Sequence, residues 1–416
     1  MLKKLISLVL AAVLLLAVTA AAAETKEVSF SGARDIQINE AGLNPPADEM
    51  IAQGISPTTG RKLESIEVPE GFVGTAFTGI YQPIMVQISN AGGGVNTNKK
   101  GEPATAPINA KYADVVYEAC QANANGGLGS LTRFTMVFSD VIPDVVGFVR
   151  STRLTHVRLR QEWDCAFCTS GWANADVKPE WKKMGVRNPE GAKPDDPGLV
   201  YNGGWPKVWA KYVYRLYPAG DANSELFELA NIAQNIIPKD HVPANHTWKF
   251  TDELPAGGDD ATIIDVKFGG GVKTDSHLEY DESTNTYLRY VPVDGTMTPF
   301  REQHLSATHY RNKGDTTMID ADRKDFGDTL SFTNVIIQQI HMSYRGAERP
   351  DPTLKGSGKA DFFIGGKHFE GLWDRKDYNA RTVFYGPDGN EMELMPGKTL
   401  IILMENNYDG RSVKYE

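Results

Sequence analysis

The sequence predicts an α+β fold: an N-terminal α/β layered domain with a mixed sheet, then a smaller, mainly antiparallel β domain at the C-terminus. Three observations predict it. Short apolar runs alternate with helix-like spacing between about residues 80 and 170. Beyond about residue 263 the chain is rich in β-formers separated by hairpin signals such as Gly365-Gly366 and Asp388-Gly389. The 416-residue length fits two or three domains, and no internal repeat is visible.

Taken in order, residues 1–23 read as a secretory leader. Lys3 and Lys4 precede an uncharged apolar run, Leu5 to Val18, and Ala21 and Ala23 sit at the −3 and −1 positions of a cleavage site. The run is short for a membrane span, which needs about 20 residues. Cleavage after Ala23 is expected, with export out of the cytoplasm to the periplasm or beyond, and no transmembrane span in the mature chain. No cysteine lies near the cleavage site, so no lipid is expected there. Residues 24–78, punctuated by Asn44-Pro45-Pro46 and Ser56-Pro57-Thr58-Thr59-Gly60, are expected to form an extended arm with at most a short helix near Asp48–Gln53.

The N-terminal domain is expected over residues 79–315. Ile84 to Ile88 reads as its first strand, followed by a Gly- and Asn-rich loop, Asn90 to Lys100. Ala113, Val116, Tyr117 and Cys120 fall at i, i+3, i+4, i+7, which predicts a helix over 112–122. Arg133 to Ser139 predicts a strand, residues 150–161 a helix, and Trp163 to Thr169 a buried strand. Residues 174–221 are rich in Trp, Gly and Pro and read as an insertion over one end of the sheet; residues 224–236 read as a helix. Ile263 to Phe268 and a hairpin over 278–290 follow. The C-terminal domain, residues 316–416, is expected to use strands at 333–341, 361–364, 367–373, 381–385 and 399–404.

Composition narrows the function. The chain is 41% hydrophobic and carries 43 basic and 53 acidic residues, a net charge of −10. Removing residues 1–23 takes away two lysines and gives 41 − 53 = −12. An acidic surface argues against a nucleic-acid partner, because phosphate-backbone affinity comes from clustered Lys and Arg. Three cysteines make no disulfide framework. Cys165 and Cys168 lie three apart in an apparent strand, so they point to opposite faces. Cys120 can pair with either of them, or all three can pack as small buried hydrophobes.

Against this acidic background one segment stands out. Arg150, Arg153, Arg158, Arg160 and His156 fall within 11 residues. Gly147 upstream of Arg150 and Ser151 suggests a helix N-terminus with free N–H donors, where an anion is favoured. Arginine forks match carboxylate and phosphate oxygens. Two readings stand: an anion pocket, or an exposed helix whose arginines pair with the surplus acids. Asp114 and Glu118, at i and i+4, are expected on one helix face ahead of Arg133. They are candidate catalytic carboxylates, able to hold a metal beside a phosphate; the alternative is that they neutralise Arg133, Arg150 or Arg153. The scattered histidines match no zinc pattern, and no nucleotide-binding or nucleophile-elbow motif occurs. Gly356-Ser357-Gly358-Lys359 and Asp325-Phe326-Gly327 read as turns. No cofactor or metal is identified.

In order, Pro83–Asn90, Tyr112–Ala119, Thr132-Arg133-Phe134 and Gly147–Arg153 resemble the N-terminal domain of the YerB-like lipoprotein family, a bacterial family of unknown function. Phe332–Gln338, Gly356–Lys359, Trp373 and Pro396–Thr399 resemble its C-terminal domain. The resemblance covers about residues 80–416, and the last two N-terminal blocks are its most specific part. The family's lipid-bearing cysteine is absent, and the Asn90–Lys100 loop carries glycines where the family has His, Asp and Arg. The family's Arg-plus-Pro-His-Asn stretch corresponds to Tyr214-Arg215 and Asn223, which the resemblance adds to the candidate ligand-binding set. A helix with Ala-Asp, a strand and an Arg-Ser turn are also similar in outline to the LytR-CpsA-Psr phosphotransferases.

The expected function is an extracytoplasmic binding or scaffold protein of the bacterial envelope. Its expected partner is an anionic envelope ligand, phosphorylated or acidic, or an envelope protein. The ligand site would comprise Arg133, Arg150, Ser151, Arg153, Arg215 and Asn223. The alternative is a metal-assisted phosphotransferase or hydrolase in which Asp114 and Glu118 are catalytic.

Overall fold

A computed structural model describes residues 24–67, 75–76, 81–90, 107–121, 132–172, 175–183, 199–202, 211–215, 225–269, 275–293, 296–303, 326–345, 350–407 and 410–416. The leader, the loop after Asn90, most of the 174–221 insertion, Asn223 and Asp325 lie outside the described residues.

The fold is α+β and mainly β, with few helices. The arm contributes β1 (Lys26–Glu27) and α1 (Ala47–Ala52). The next elements are β2 (Ile84–Ser89), β3 (Val115–Cys120), β4 (Thr132–Phe138), α2 (Leu154–Trp163), β5 (Ala166–Thr169), α3 (Val177–Lys183), β6 (Val200–Asn202), β7 (Glu225–Phe227) and α4 (Leu229–Asn235). Then come β8 (Asp259–Asp260), β9 (Ile263–Lys267), β10 (Ser276–Asp281), β11 (Thr286–Val293) and β12 (Thr296–Pro299). The last strands are β13 (Asn334–Ile340), β14 (Gly356–Ile364), β15 (Lys367–Arg375), β16 (Val383–Tyr385), β17 (Thr399–Glu405) and β18 (Ser412–Tyr415).

One eleven-stranded mixed sheet runs β8-β15-β14-β13-β17-β3-β4-β2-β5-β6, with β16 added on β15. Strands from both halves of the chain share it: β17 lies parallel to β3, with Thr399 opposite Val115 and Leu403 opposite Ala119. Every residue of β2, β3 and β17 is buried, as expected for strands covered on both faces. A second sheet, β1-β18-β9-β10-β11-β12 with Ser331–Phe332 beside β11, covers one face. There Ile84, Val86, Ile88, Phe134 and Met136 pack with Ile264, Val266, Leu278 and Tyr287. Helix α2 covers the other face at the N-terminal end of the sheet, where Val157, Leu159 and Trp163 pack with Met85, Val137 and Phe167. Burying each such side chain stabilises the fold by about 1.5–3 kcal/mol.

Several expectations change. Residues 115–120 form a strand, not a helix. The i, i+3, i+4, i+7 spacing that suggested a helix is also met by a short run buried on both faces, and Val115-Val116 favours the strand. Residues 225–227 are likewise a strand, and α4 begins only at Leu229. Helix α2 starts at Leu154 rather than 150, and it ends where Asp164 takes a left-handed conformation (φ 40°) and donates its N–H to the Arg160 carbonyl at 2.8 Å. The insertion supplies the helix α3 and the edge strand β6, parallel to β5. Gly356–Lys359 opens strand β14, and Phe326 and Gly327 are also in a strand, so neither segment is a turn. The three cysteines are buried, and none forms a disulfide.

The arm is tied down along its length. Arg34 donates to the Ala360 and Gly371 carbonyls at 2.6 and 2.8 Å and pairs with buried Asp361 at 2.5 Å. Farther on, Ser56 and Thr59 donate their hydroxyls to the two oxygens of Asp140 at 2.5 and 2.7 Å.

Candidate functional site

The segment ahead of α2 is extended because β2 outruns β5. Ser89 N–H donates to the Phe148 carbonyl at 2.9 Å and Arg150 N–H to the Gln87 carbonyl at 2.9 Å. On the other side, Ser170 N–H donates to the Arg150 carbonyl and Thr152 N–H to the Gly171 carbonyl, both at 3.0 Å. Residues 148–152 are thus wedged between the end of β2 and the chain leaving β5. Gly147 is required by packing: a Cβ there would lie 2.1 Å from a Leu226 methyl on β7.

This wedge brings the arginines of strand and helix together. Arg133 stands on β4 opposite Ser89, and its Nη1 donates to the Ser151 carbonyl at 2.9 Å. Arg153 is the residue capping α2, and it is buried. One turn on, His156 is buried on the sheet-facing stripe of α2 with Leu159 and Trp163. Its Nδ1 accepts the Arg153 backbone N–H at 2.8 Å. Burial, then the positive charges of Arg133 and Arg153, holds the His156 imidazole well below its usual pKa, so the ring is neutral. Arg150 and Ser151 are half-buried beside this group.

Two neutral side chains complete the picture: His156, which the sequence marks only as a member of the basic cluster, and Gln87, which it does not mark. With Nδ1 accepting, the His156 proton sits on Nε2, which is buried and has no partner among the described residues. Gln87 lies on the same sheet face as Arg133, opposite Thr135. Its Oε1 accepts the Thr135 hydroxyl at 3.2 Å, and its buried Nε2 likewise has no partner among the described residues. Only burial and the register of β2 with β4 reveal this pair.

The other predicted residues lie elsewhere. Asp114 is at the opposite end of β4, where its carboxylate accepts the N–H groups of Ser139 and Asp140 at 2.6 and 2.9 Å. Burial and neighbouring Asp140 push its pKa up. Glu118 points to the opposite sheet face from Arg133. It takes hydrogen bonds from Asn90 and Thr132 and an ion pair with Arg289 at 3.2 Å, both partners fully buried. Burial raises its pKa and Arg289 opposes that rise. Strand geometry therefore does not bring the two carboxylates to the arginines. Arg158 pairs with Asp351 at 2.5 Å, and Arg160 with Asp164 at 2.8 Å. The backbone of Arg215 pairs with Glu225 across a strand ladder, while Asn223 is outside the described residues. Among the described residues no group of three or more His, Cys, Asp and Glu side chains is placed to hold a metal ion.

A separate open cleft of about 920 Å³ lies between the arm and residues 248–252. Arg61, Lys62 and Lys249 line it against Glu64, Asp252 and Glu393, so it carries no charge preference, and none of the arginines above reaches it.

Residues 82–201 match the N-terminal domain, and residues 264–401 the C-terminal domain, of the family described as protein of unknown function (DUF3048). The Bacillus subtilis (strain 168) protein named "Putative lipoprotein YerB" is 26% identical over 318 residues, covering 74% of this chain and 78% of that protein. The crystal structure of YerB from Bacillus subtilis shares the fold, with a TM-score of 0.56 at 20% identity over 86% of this chain and 99% of that chain.

Proposed function

This chain belongs to the DUF3048 family, and from that premise we propose that it is an extracytoplasmic binding protein of the bacterial envelope with an arginine-lined site for an anionic ligand. The observation that carries the reading is the meeting of Arg133 and Arg153 around a neutral, buried His156. Beside these arginines the buried Nε2 donors of His156 and Gln87 have no acceptor among the described residues, and donors next to positive charge favour an anionic acceptor. Arg150 and Ser151 flank the same group, and family resemblance adds Arg215 and Asn223 to the candidate ligand-binding set.

Binding is favoured over group transfer because Asp114 and Glu118 stand away from the arginines and are held by their own donors. Export is supported by the leader pattern ending at Ala23 and by the lipoprotein name of the relative. Among the described residues no helix is long and apolar enough to cross a membrane.

Thermal unfolding of the protein in phosphate and in glucuronate tests the reading. A ligand that binds only the folded state stabilises it by about 2.7 kcal/mol at a hundred times its Kd. The expected result is a rise in Tm with anion concentration that Arg153→Ala abolishes. A Tm indifferent to both anions would sink the reading.

A further inference from the structure

Arginine forks match carboxylate and phosphate alike and do not separate them. Gln87 and His156 do. Each has its acceptor atom occupied, Oε1 by the Thr135 hydroxyl and Nδ1 by the Arg153 N–H, which fixes the direction of the donor atom. Each then presents a buried N–H with no acceptor among the described residues. Buried donors are normally satisfied in native proteins, and among the buried donors without a partner in this fold these two lie beside Arg133 and Arg153, where they suit a ligand that accepts through several oxygens.

We propose that the ligand of this site is a phosphoryl group, with His156 Nε2–H and the Gln87 amide as neutral donors to oxygens that the arginines leave unfilled. This inference rests on the anion-binding reading above. A carboxylate offers two oxygens in one plane; a phosphoryl group offers three terminal oxygens arranged tetrahedrally and a bridging one, which suits donors that converge from strand, helix cap and helix. Neutral donors also suit the position. A protonated His156 would lose the Nδ1 lone pair that accepts the Arg153 N–H, and with it the fixed orientation of the ring.

Calorimetric titration at pH 7.5 tests the proposal with inorganic phosphate, glucose 1-phosphate, a short-chain polyprenyl phosphate, acetate and glucuronate. The three phosphates separate a free ion from a glycan or lipid source. The variants are His156→Asn, which keeps an acceptor for the Arg153 N–H, and Gln87→Met, which keeps side-chain length. At least one phosphate is expected to bind at least tenfold tighter than both carboxylates. Each variant is expected to lower that affinity about tenfold to a hundredfold, the usual effect of losing one hydrogen bond to a charged group, while leaving the carboxylates unchanged. Equal affinity for phosphates and carboxylates would overturn the proposal while leaving the anion site standing. Variants that bind phosphate like the wild type would do the same. Absence of binding by every anion would overturn both. Should a variant fail to fold, the wild-type His156 Nε2–H proton resonance decides: it is expected to move on adding phosphate, and a stationary resonance refutes the contact.

Discussion

The Arg133 guanidinium donates to the Ser151 carbonyl at 2.9 Å and so ties the start of β4 to the extended segment that launches α2. In the proposed site one residue would therefore both shape the backbone and supply charge. Arg133→Ala is expected to cost about 1.5–3 kcal/mol of stability, the value of a hydrogen bond to a charged group. It is also expected to weaken phosphate binding at least tenfold. Urea unfolding and titration calorimetry on one preparation check both effects, and an unchanged urea midpoint would show that the tie is unimportant.

Glu162 is the second junction, between α2 and the C-terminal strands. Its carboxylate pairs with Arg375 at 3.1 Å, lies 2.8 Å from His246 Nε2, and accepts the Thr382 N–H at 2.6 Å. Burial opposes its charge, but these partners outweigh burial and hold its pKa down to about 2. A carboxylate depressed in the folded state stabilises at pH values above its unfolded pKa of about 4.3, and that contribution is lost as pH falls toward 2. The contribution is on the order of 3 kcal/mol. The urea midpoint is expected to fall between about pH 5 and pH 2. Glu162→Gln is expected to be less stable at pH 7 and to lose most of that acid dependence; a variant with the wild-type acid profile would contradict the assignment.

The arm is expected to be integral to the fold. Arg34 is the main cationic partner of fully buried Asp361, whose other contacts are His368 and Gln339. Removing one partner of a buried pair costs about 3–5 kcal/mol, so Arg34→Ala is expected near the lower end. Amide exchange within residues 26–40 is expected to rise together with the drop in the urea midpoint. An arm that exchanges freely in the wild type would refute this.

Glu118 and Arg289 are expected to act as a structural pair. Arg289 is sandwiched between Phe134 and Phe300, with ring centroids 5.0 and 4.5 Å from its guanidinium carbon, inside the space between the two sheets. Glu118→Leu or Arg289→Met alone is expected to cost about 3–5 kcal/mol, while the double variant is expected to recover most of the loss. Phosphate affinity is expected to be the same in all folded forms. Loss of binding in the double variant would place Glu118 in the ligand site after all.

The sequence carried the short apolar strands, because runs such as Ile84–Ile88 are too brief for a helix and are bounded by Pro and Asn. The Gly365-Gly366 hairpin was equally legible, and both glycines take the positive φ that such a turn demands (59° and 72°). Residues 112–122 were not, since a strand buried on both faces has no alternation to betray it. That error placed Asp114 and Glu118 on one helix beside the arginines. Sheet register separates them: it turns Glu118 away from Arg133 and leaves Asp114 at the far end. Arg133, Arg150 and Arg153 stand out as candidates by residue type against an acidic background, and the proposed function rests on them. The donor roles of Gln87 and His156 could not be read that way, because their meaning lies in an unmet hydrogen bond, which only packing defines.

The most direct measurement is a crystal structure of the protein grown with tungstate, a phosphate mimic visible by anomalous scattering. The account predicts one tetrahedral anion within hydrogen-bonding distance of the Arg133 and Arg153 guanidiniums and of His156 Nε2. Tungstate bound only at surface lysines, with the space between Arg153 and His156 filled by protein, would contradict it.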